Sequence, residues 1–199
     1  MMSRRQIQTL VLKKMKEECD MELRRIEKSD YPYIKTLYTE AFPPDERAPF
    51  RMICKKAERG KGDFWVICEE GQSIGLAYLV AQKDLAYLFY YAIDPSERGK
   101  GYGTRALKEV LKMYENYRLF LALENWKEDA ENKEQRIKRH SFYLNCGLHD
   151  LPYRIKEVDM VYSIMGSKGP VEPEEYRSMM NRYVGFPMRL FFDMRIIKD

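Results

Sequence analysis

A glycine-rich loop in the middle of the chain constrains the fold more than any other segment. It follows a continuous apolar run, Leu85 to Ile93, which predicts a buried strand. A helix is predicted directly after it, from Gly103 to about Tyr117. Three glycines alternate with other residues at this junction, at positions 99, 101 and 103. The fold must therefore contain a strand, a tight bend with an unhindered backbone, and a helix in direct succession.

The residues of this loop are suited to binding an anion. Because glycine lacks a Cβ, several backbone N–H groups can converge on one point. The helix N-terminus contributes unpaired N–H groups and a partial positive charge, and Arg98 and Lys100 contribute full charges. We therefore predict that residues 98–104 hold a diphosphate.

Two common types of phosphate-binding loop differ from this one. A Walker loop requires Lys and Ser/Thr after its last glycine, but Thr104 and Arg105 stand there. A dinucleotide-binding loop has the spacing G-x-G-x-x-G, whereas this loop has G-x-G-x-G. The remaining alternative is a plain turn in which the glycines serve only the backbone geometry.

The rest of the chain predicts one domain with a mixed, mostly antiparallel α/β sheet and flanking helices. Its predicted core contains strands at residues 21–26, 64–69, 74–81, 85–93, 119–123 and 158–165, and helices at about 30–41, 49–59, 103–117 and 131–146. Residues 1–20 predict an N-terminal helical extension, either packed or frayed on the domain or free to contact a membrane surface or partner. Residues 167–199 predict a C-terminal helix and a final strand at 188–197.

Composition excludes several classes of protein. Lys and Arg total 35 against 31 Asp and Glu, a net charge of +4 that is too weak to indicate a nucleic-acid partner by itself. The four cysteines are scattered and only two histidines occur, which argues against a zinc site or a disulfide framework. No apolar run approaches the roughly 18 residues that cross a bilayer. We expect a cytoplasmic protein with no metal, no membrane partner and no nucleic-acid partner.

Two motifs resemble the GNAT acyltransferase family. The family pattern Gln/Arg-x-x-Gly-x-Gly/Ala is met by Arg98, Gly101 and Gly103, and Phe-Tyr-x-x-x-Gly-Phe/Leu is met by residues 142–148. Order and spacing agree over about residues 21–165. The resemblance implies the acyl-CoA N-acyltransferase fold for residues 21–166, with a splayed fourth strand at 85–93, and acetyl-CoA as co-substrate.

The resemblance also implies a set of cofactor-binding positions. These are Tyr91, Ala92, Ile93, Arg98, Gly99, Lys100, Gly101, Tyr102, Gly103 and Thr104. The strand amides at 91–93 would bind the pantetheine arm and the loop would bind the diphosphate. Two positions depart from the family pattern: Arg136 and Arg139 stand where Asn and Ala are frequent. These arginines either reach a phosphate or belong to a solvated basic face.

Candidate residues for the chemistry follow from the same resemblance. Tyr143 matches the position of a general acid that protonates the leaving thiolate; the alternative is a packing aromatic that only hydrogen-bonds the sulfur. For the base or the acceptor site, the candidates are Glu46, beside Asp45, and Glu124. Each of these is also explained as a solvated surface carboxylate. Cys146 ends a helix, so a cysteine nucleophile is rejected.

We therefore predict an N-acetyltransferase that acetylates a primary amine by direct attack in a ternary complex. The acceptor is a small molecule or a peptide. The alternatives are a non-catalytic acyl-CoA-binding sensor or assembly module and a nucleic-acid-binding domain that uses Arg98, Arg136 and Arg139. For the tail, a homodimer interface and an extra strand on the sheet are both compatible with the sequence.

Overall fold

The computed structural model describes residues 21–44, 46–157, 160–185 and 194–198. The predicted helix at 1–20, Asp45, Phe191 and Phe192 lie outside these residues. The described part forms eight strands and five α-helices: β1 (Met21–Arg25), α1 (Tyr31–Ala41), α2 (Phe50–Glu58), β2 (Asp63–Glu69), β3 (Gln72–Gln82), β4 (Leu85–Ile93), α3 (Tyr102–Met113), β5 (Arg118–Glu124), α4 (Lys133–Asn145), β6 (His149–Glu157), β7 (Met160–Gly166), α5 (Pro173–Val184) and β8 (Met194–Lys198). No helix of the described residues is long and apolar enough to span a membrane.

All eight strands belong to one sheet of order β1-β2-β3-β4-β5-β7-β6-β8. Every neighbouring pair is antiparallel except β4 and β5, which are parallel. This arrangement confirms the predicted mixed, mostly antiparallel sheet with flanking helices. It also places the parallel pair in the middle of the sheet, next to the helix that follows β4.

Each face of the sheet is covered by its own group of helices. On one face, α1, α2 and α5 bury side chains such as Ile34, Ile53 and Met179 against β2, β3 and β4. On the opposite face, α3 and α4 pack through residues such as Leu107 and Tyr143 against β3, β4 and β5. Because helix residues three or four apart share a side, each helix buries one stripe and leaves the other exposed. The core is thus two layers separated by the sheet.

One strand was missed by the sequence prediction. A single strand was predicted at 158–165, but the structure has two, β6 and β7, which form an antiparallel hairpin. Leu151, Tyr153 and Ile155 alternate toward the core in β6, as in a half-buried strand. Pro152 and the charged residues between them concealed this alternation, and the pairing with β7 is irregular between Asp150 and Arg154.

The C-terminal segment joins the same sheet and core. β8 pairs with β6 in antiparallel register, from Tyr153 opposite Lys198 to Glu157 opposite Met194, so the tail does add a strand to the sheet edge. The prediction that this strand begins at residue 188 falls on residues outside the described part. Helix α5 is fixed by Glu175, which accepts two hydrogen bonds from Arg118, at 2.9 and 2.8 Å. This pairing lowers the pKa of Glu175 to about 2.

Candidate active site

The two central parallel strands separate partway along their length. β4 and β5 are paired only from Leu85 opposite Arg118 to Tyr87 opposite Phe120. The register of β4 against β3 shifts between Leu88 and Tyr90, which leaves Phe89 as an extra bulged residue. A bulge bends its strand, so the remainder of β4 diverges from β5 and leaves a gap in the sheet.

The alternation of β4 determines which backbone groups face this gap. The N–H of Asp94 donates to the carbonyl of Ile74 in β3 at 2.8 Å. Successive residues of a strand direct their N–H and C=O groups to opposite sides. Tyr91 and Ile93 therefore direct theirs away from β3 and toward the gap, whereas Ala92 directs its own toward β3.

The bend after β4 depends on two glycines in the left-handed region. Gly99 and Gly101 have φ values of 79° and 81°, and no atom lies within 4 Å of the position a Cβ would take at either. Gly101 immediately precedes α3. The first helical hydrogen bond runs from the N–H of Arg105 to Gly101, so the N–H groups of residues 102–104 lie in the unpaired first turn. Open space and unpaired N–H groups thus occur together at the positive end of α3.

Two cations flank this bend in different settings. Arg98 is held at the end of β4, where its Nε donates to the carbonyl of Ile93 at 3.1 Å. Lys100 is exposed and pairs with Glu97 at 2.9 Å, which offsets its charge. A diphosphate fits this donor set, because it would add anionic oxygens beside a guanidinium and a helix N-terminus.

A cavity of about 840 Å³ lies where β4 and β5 diverge, and residues from both faces of the sheet line it. Tyr143 reaches it from α4, while Tyr176 of α5 and Glu157 of β6 reach it from the opposite face. The gap in the sheet therefore connects the two layers. Its lining includes seven of the residues predicted for the site: Tyr91, Ala92, Ile93, Arg98, Glu46, Glu124 and Tyr143. The other predicted cofactor positions lie on the adjoining loop and the first turn of α3: Gly99, Lys100, Gly101, Tyr102, Gly103 and Thr104.

Tyr143 lies at the wall of this cavity with an available hydroxyl. Its side chain is almost fully buried, and among the described residues its hydroxyl has no hydrogen-bond partner. Burial raises the pKa of Tyr143 to about 12, and the nearby Arg139 opposes that rise. The phenol is therefore protonated throughout the neutral range and can donate to an atom inside the cavity.

Glu124 is not the solvated carboxylate that the sequence favoured. It is 8% exposed and both of its oxygens are used, Oε1 by Arg136 at 2.8 Å and Oε2 by Arg139 at 3.1 Å. Arg136 is itself buried, so it is not part of a solvated basic face. The proximity of β5 to α4 creates this cluster, which the sequence alone does not reveal. Glu124 forms ion pairs with both Arg136 and Arg139, the two residues that depart from the family pattern.

Glu46, two tyrosines of β4 and Cys146 have distinct surroundings. Glu46 lines the cavity from the connection between α1 and α2. Tyr87 and Tyr90 also line the cavity. Both are largely buried, so they belong to the hydrophobic core and also form part of the cavity wall. Burial raises the pKa of the Cys146 thiol, which keeps it neutral and unsuited to attack. No group of described residues is arranged to hold a metal ion.

One acidic cavity residue was not predicted. Glu157 ends β6, the strand that the sequence pattern did not reveal, and its pKa is raised by burial. The hydroxyl of Tyr176 donates to its Oε1 at 3.3 Å. A partly buried carboxylate with a raised pKa at a cavity wall is a signal of function, but it appears only once the strand order is known.

Solved structures with similar folds were found in large number. A Bacteroides thetaiotaomicron protein assigned to the GNAT acetyltransferases is 21% identical, covers 84% of this chain and 98% of its own, and has a TM-score of 0.69. The ribosomal-protein-S18-alanine N-acetyltransferase of Escherichia coli is 17% identical, covers 77% and 97%, and scores 0.56. A Bacillus subtilis acetyltransferase in complex with CoA is 12% identical, covers 75% and 98%, and scores 0.56. At these identities the likeness concerns the fold.

The sequence comparisons identify the family. No curated protein sequence matches the chain significantly. The model of the acetyltransferase (GNAT) family matches residues 22–147, which span β1 to the end of α4 and contain both the loop after β4 and Tyr143. That match covers more than half of the chain and agrees with the separated β4 and β5, the glycine bend and the sheet order. The chain therefore belongs to the GNAT acetyltransferase family.

Proposed function

We propose that the protein transfers the acetyl group of acetyl-CoA to a primary amine by direct attack in a ternary complex. The observation that carries the proposal is the cavity between β4 and β5. It brings the free edge of β4 and Tyr143 to the same space, directly beside the glycine bend. An acetyltransferase crystallised with CoA shares the fold, which supports CoA as the carrier.

In this proposal the cofactor lies along β4. Arg98 and the N–H groups of residues 102–104 bind the diphosphate, and the outward N–H groups of Tyr91 and Ile93, with the C=O of Tyr91, hold the amide-containing arm. An arm held in this way extends a strand across the gap and directs the thioester into the cavity. The charged side chains and the backbone groups of this region thus position the thioester. Positioning of the two reactants supplies a large part of the rate enhancement in a bimolecular transfer.

The acceptor enters from the other face of the sheet and its neutral nitrogen attacks the thioester carbonyl. A C–N bond forms and the carbonyl oxygen becomes an oxyanion, which an outward N–H at the free edge of β4 stabilises. The C–S bond then breaks and the thiolate takes a proton from the hydroxyl of Tyr143. The nitrogen loses its extra proton to a carboxylate or to water, with Glu46 as a candidate at the cavity wall.

A thiol-release assay with acetyl-CoA and a panel of amines tests this proposal. The panel contains 2-phenylethylamine, hexylamine, L-phenylalanine and peptides with a free N-terminus or a lysine side chain. We expect thiol release that depends on at least one amine, with the N-acetyl product confirmed by mass spectrometry. Saturable CoA binding without acetylation of any amine would contradict the proposal and would favour the non-catalytic binding module.

A further inference from the structure

Helix α5 lies outside the matched family region, yet it completes one side of the cavity. The family match ends at residue 147, whereas Tyr176 and Met180 of α5 line the cavity. The Tyr176 ring packs against Tyr87 and Phe120, with ring centroids 5.1 and 5.2 Å apart. This side of the site is thus built by a segment beyond the matched core.

Glu157 presents a carboxylate within this side. Its Oε1 accepts a hydrogen bond from Tyr176, and the Tyr176 hydroxyl lies 3.3 Å from that of Tyr87. Among the described residues no cation forms an ion pair with Glu157. Burial without a compensating charge raises its pKa, which means that a cation placed beside it would relieve an existing penalty.

Each guanidinium group along the cavity already has a protein acceptor. Arg139 pairs with Glu124, Arg47 donates to the carbonyls of Thr39 and Phe42, and Arg98 donates to that of Ile93. The cavity lining also carries several aromatic rings, among them Phe42, Phe89, Tyr90, Tyr162 and Tyr176, and the last of these contacts Glu157. Aromatic rings attract cations and bury apolar stems, and they carry no positive charge to pair with an acceptor's carboxylate.

We infer, on the basis of the proposed function, that Glu157 binds the ammonium group of the acceptor before that nitrogen loses a proton to a carboxylate or to water and attacks. We also infer that the acceptor is a primary amine carried on an aromatic or other apolar stem. Tyr176 positions the carboxylate, and the aromatic rings of the cavity lining cover the stem. Helix α5 therefore determines the class of acceptor, while residues 22–147 bind acetyl-CoA. An amine that carries its own carboxylate, such as an amino acid, is disfavoured because that carboxylate would lie near the negative charge of Glu157.

The test compares Glu157→Gln with wild type in the thiol-release assay, using 2-phenylethylamine, hexylamine and L-phenylalanine. Glutamine preserves the shape and can still accept from Tyr176, so only the charge is lost. We expect KM for 2-phenylethylamine to rise about 10- to 100-fold, as for the loss of a charged hydrogen bond. KM for acetyl-CoA should change less than about twofold, and Glu157→Asp should recover part of the loss. The control is Glu174→Gln, an exposed carboxylate on the outer side of α5, which should behave as wild type.

Each outcome separates the inference from the proposed function. Amine acetylation with an unchanged KM in Glu157→Gln would overturn the inference and leave the function intact. Preference of the wild type for L-phenylalanine over 2-phenylethylamine would also overturn it, because the cavity would then recognise a carboxylate. If the wild type acetylates none of the amines, the proposed function fails, and the inference fails with it.

Discussion

Replacing Tyr143 by phenylalanine is expected to lower kcat for amine acetylation by about 100- to 1000-fold, within the usual range for general acid catalysis. The Kd for acetyl-CoA should stay within about threefold of wild type, because the ring and its packing remain. The reason is the position of the hydroxyl, which lies at the cavity wall with no protein partner among the described residues. Without it, the thiolate would leave as an anion with no adjacent proton donor.

The pKa of Tyr143 gives this prediction a pH signature. Burial raises that pKa to about 12, so the neutral phenol persists as pH rises and is lost only near pH 12. The wild-type kcat should therefore show no fall from loss of this acid between pH 7 and pH 10. Burial that disfavours the phenolate also disfavours a leaving thiolate, which brings the two proton affinities closer in the site than in water.

Tyr153→Phe is the matched control for this substitution. Tyr153 is equally buried, but it lies on β6 outside the cavity lining, and its hydroxyl has no hydrogen-bond partner in the described structure. This variant should fold and turn over as wild type does. Rate assays and calorimetry on the two variants separate the roles; an unchanged kcat in Tyr143→Phe would remove the general-acid assignment.

Replacing Gly101 by valine is expected to weaken CoA binding about 100-fold. Two effects combine at this position: a φ of 81°, which costs other residues about 1–2 kcal/mol, and a side chain placed in the open space beside the first turn of α3. That space is where the proposed diphosphate meets the N–H groups of residues 102–104. Losing one or two charge-assisted hydrogen bonds accounts for the expected magnitude.

The control for this variant is Gly60→Val. Gly60 also has a positive φ, 65°, with no atom within 4 Å of its Cβ position, but it follows α2, well away from the bend. Backbone strain should lower the Tm of both variants by similar amounts. Equal CoA affinity in wild type and Gly101→Val, measured by calorimetry, would show that the bend does not bind the diphosphate.

Local patterns were sufficient to predict most of the fold. The apolar run of β4 predicted its bounds, 85–93, because a strand buried on both faces needs no alternation. The end of α4 near Gly147 followed from the preference for glycine after a helix. β6 was missed because Pro152 and neighbouring charges interrupt an alternation that only its pairing with β7 makes clear.

The site was less accessible from sequence because it depends on contacts between distant segments. Glu124 and Arg136 pair only because β5 runs beside α4, so a carboxylate that looked solvated is buried. The resemblance implied a splayed fourth strand, but no residue pattern predicts the register shift in β4 or the end of its pairing with β5 at Tyr87. Glu157 becomes a candidate site residue only because α5 packs against β6, a strand that was not predicted.

Calorimetric titration of the wild-type protein with coenzyme A and with pantetheine tests the central claim most directly. The two ligands share the thiol arm, and only coenzyme A carries the diphosphate. The account predicts saturable 1:1 binding of coenzyme A that weakens with added salt, and binding of pantetheine at least about 100-fold weaker. Equal affinity for the two ligands, or no heat with coenzyme A, would contradict it.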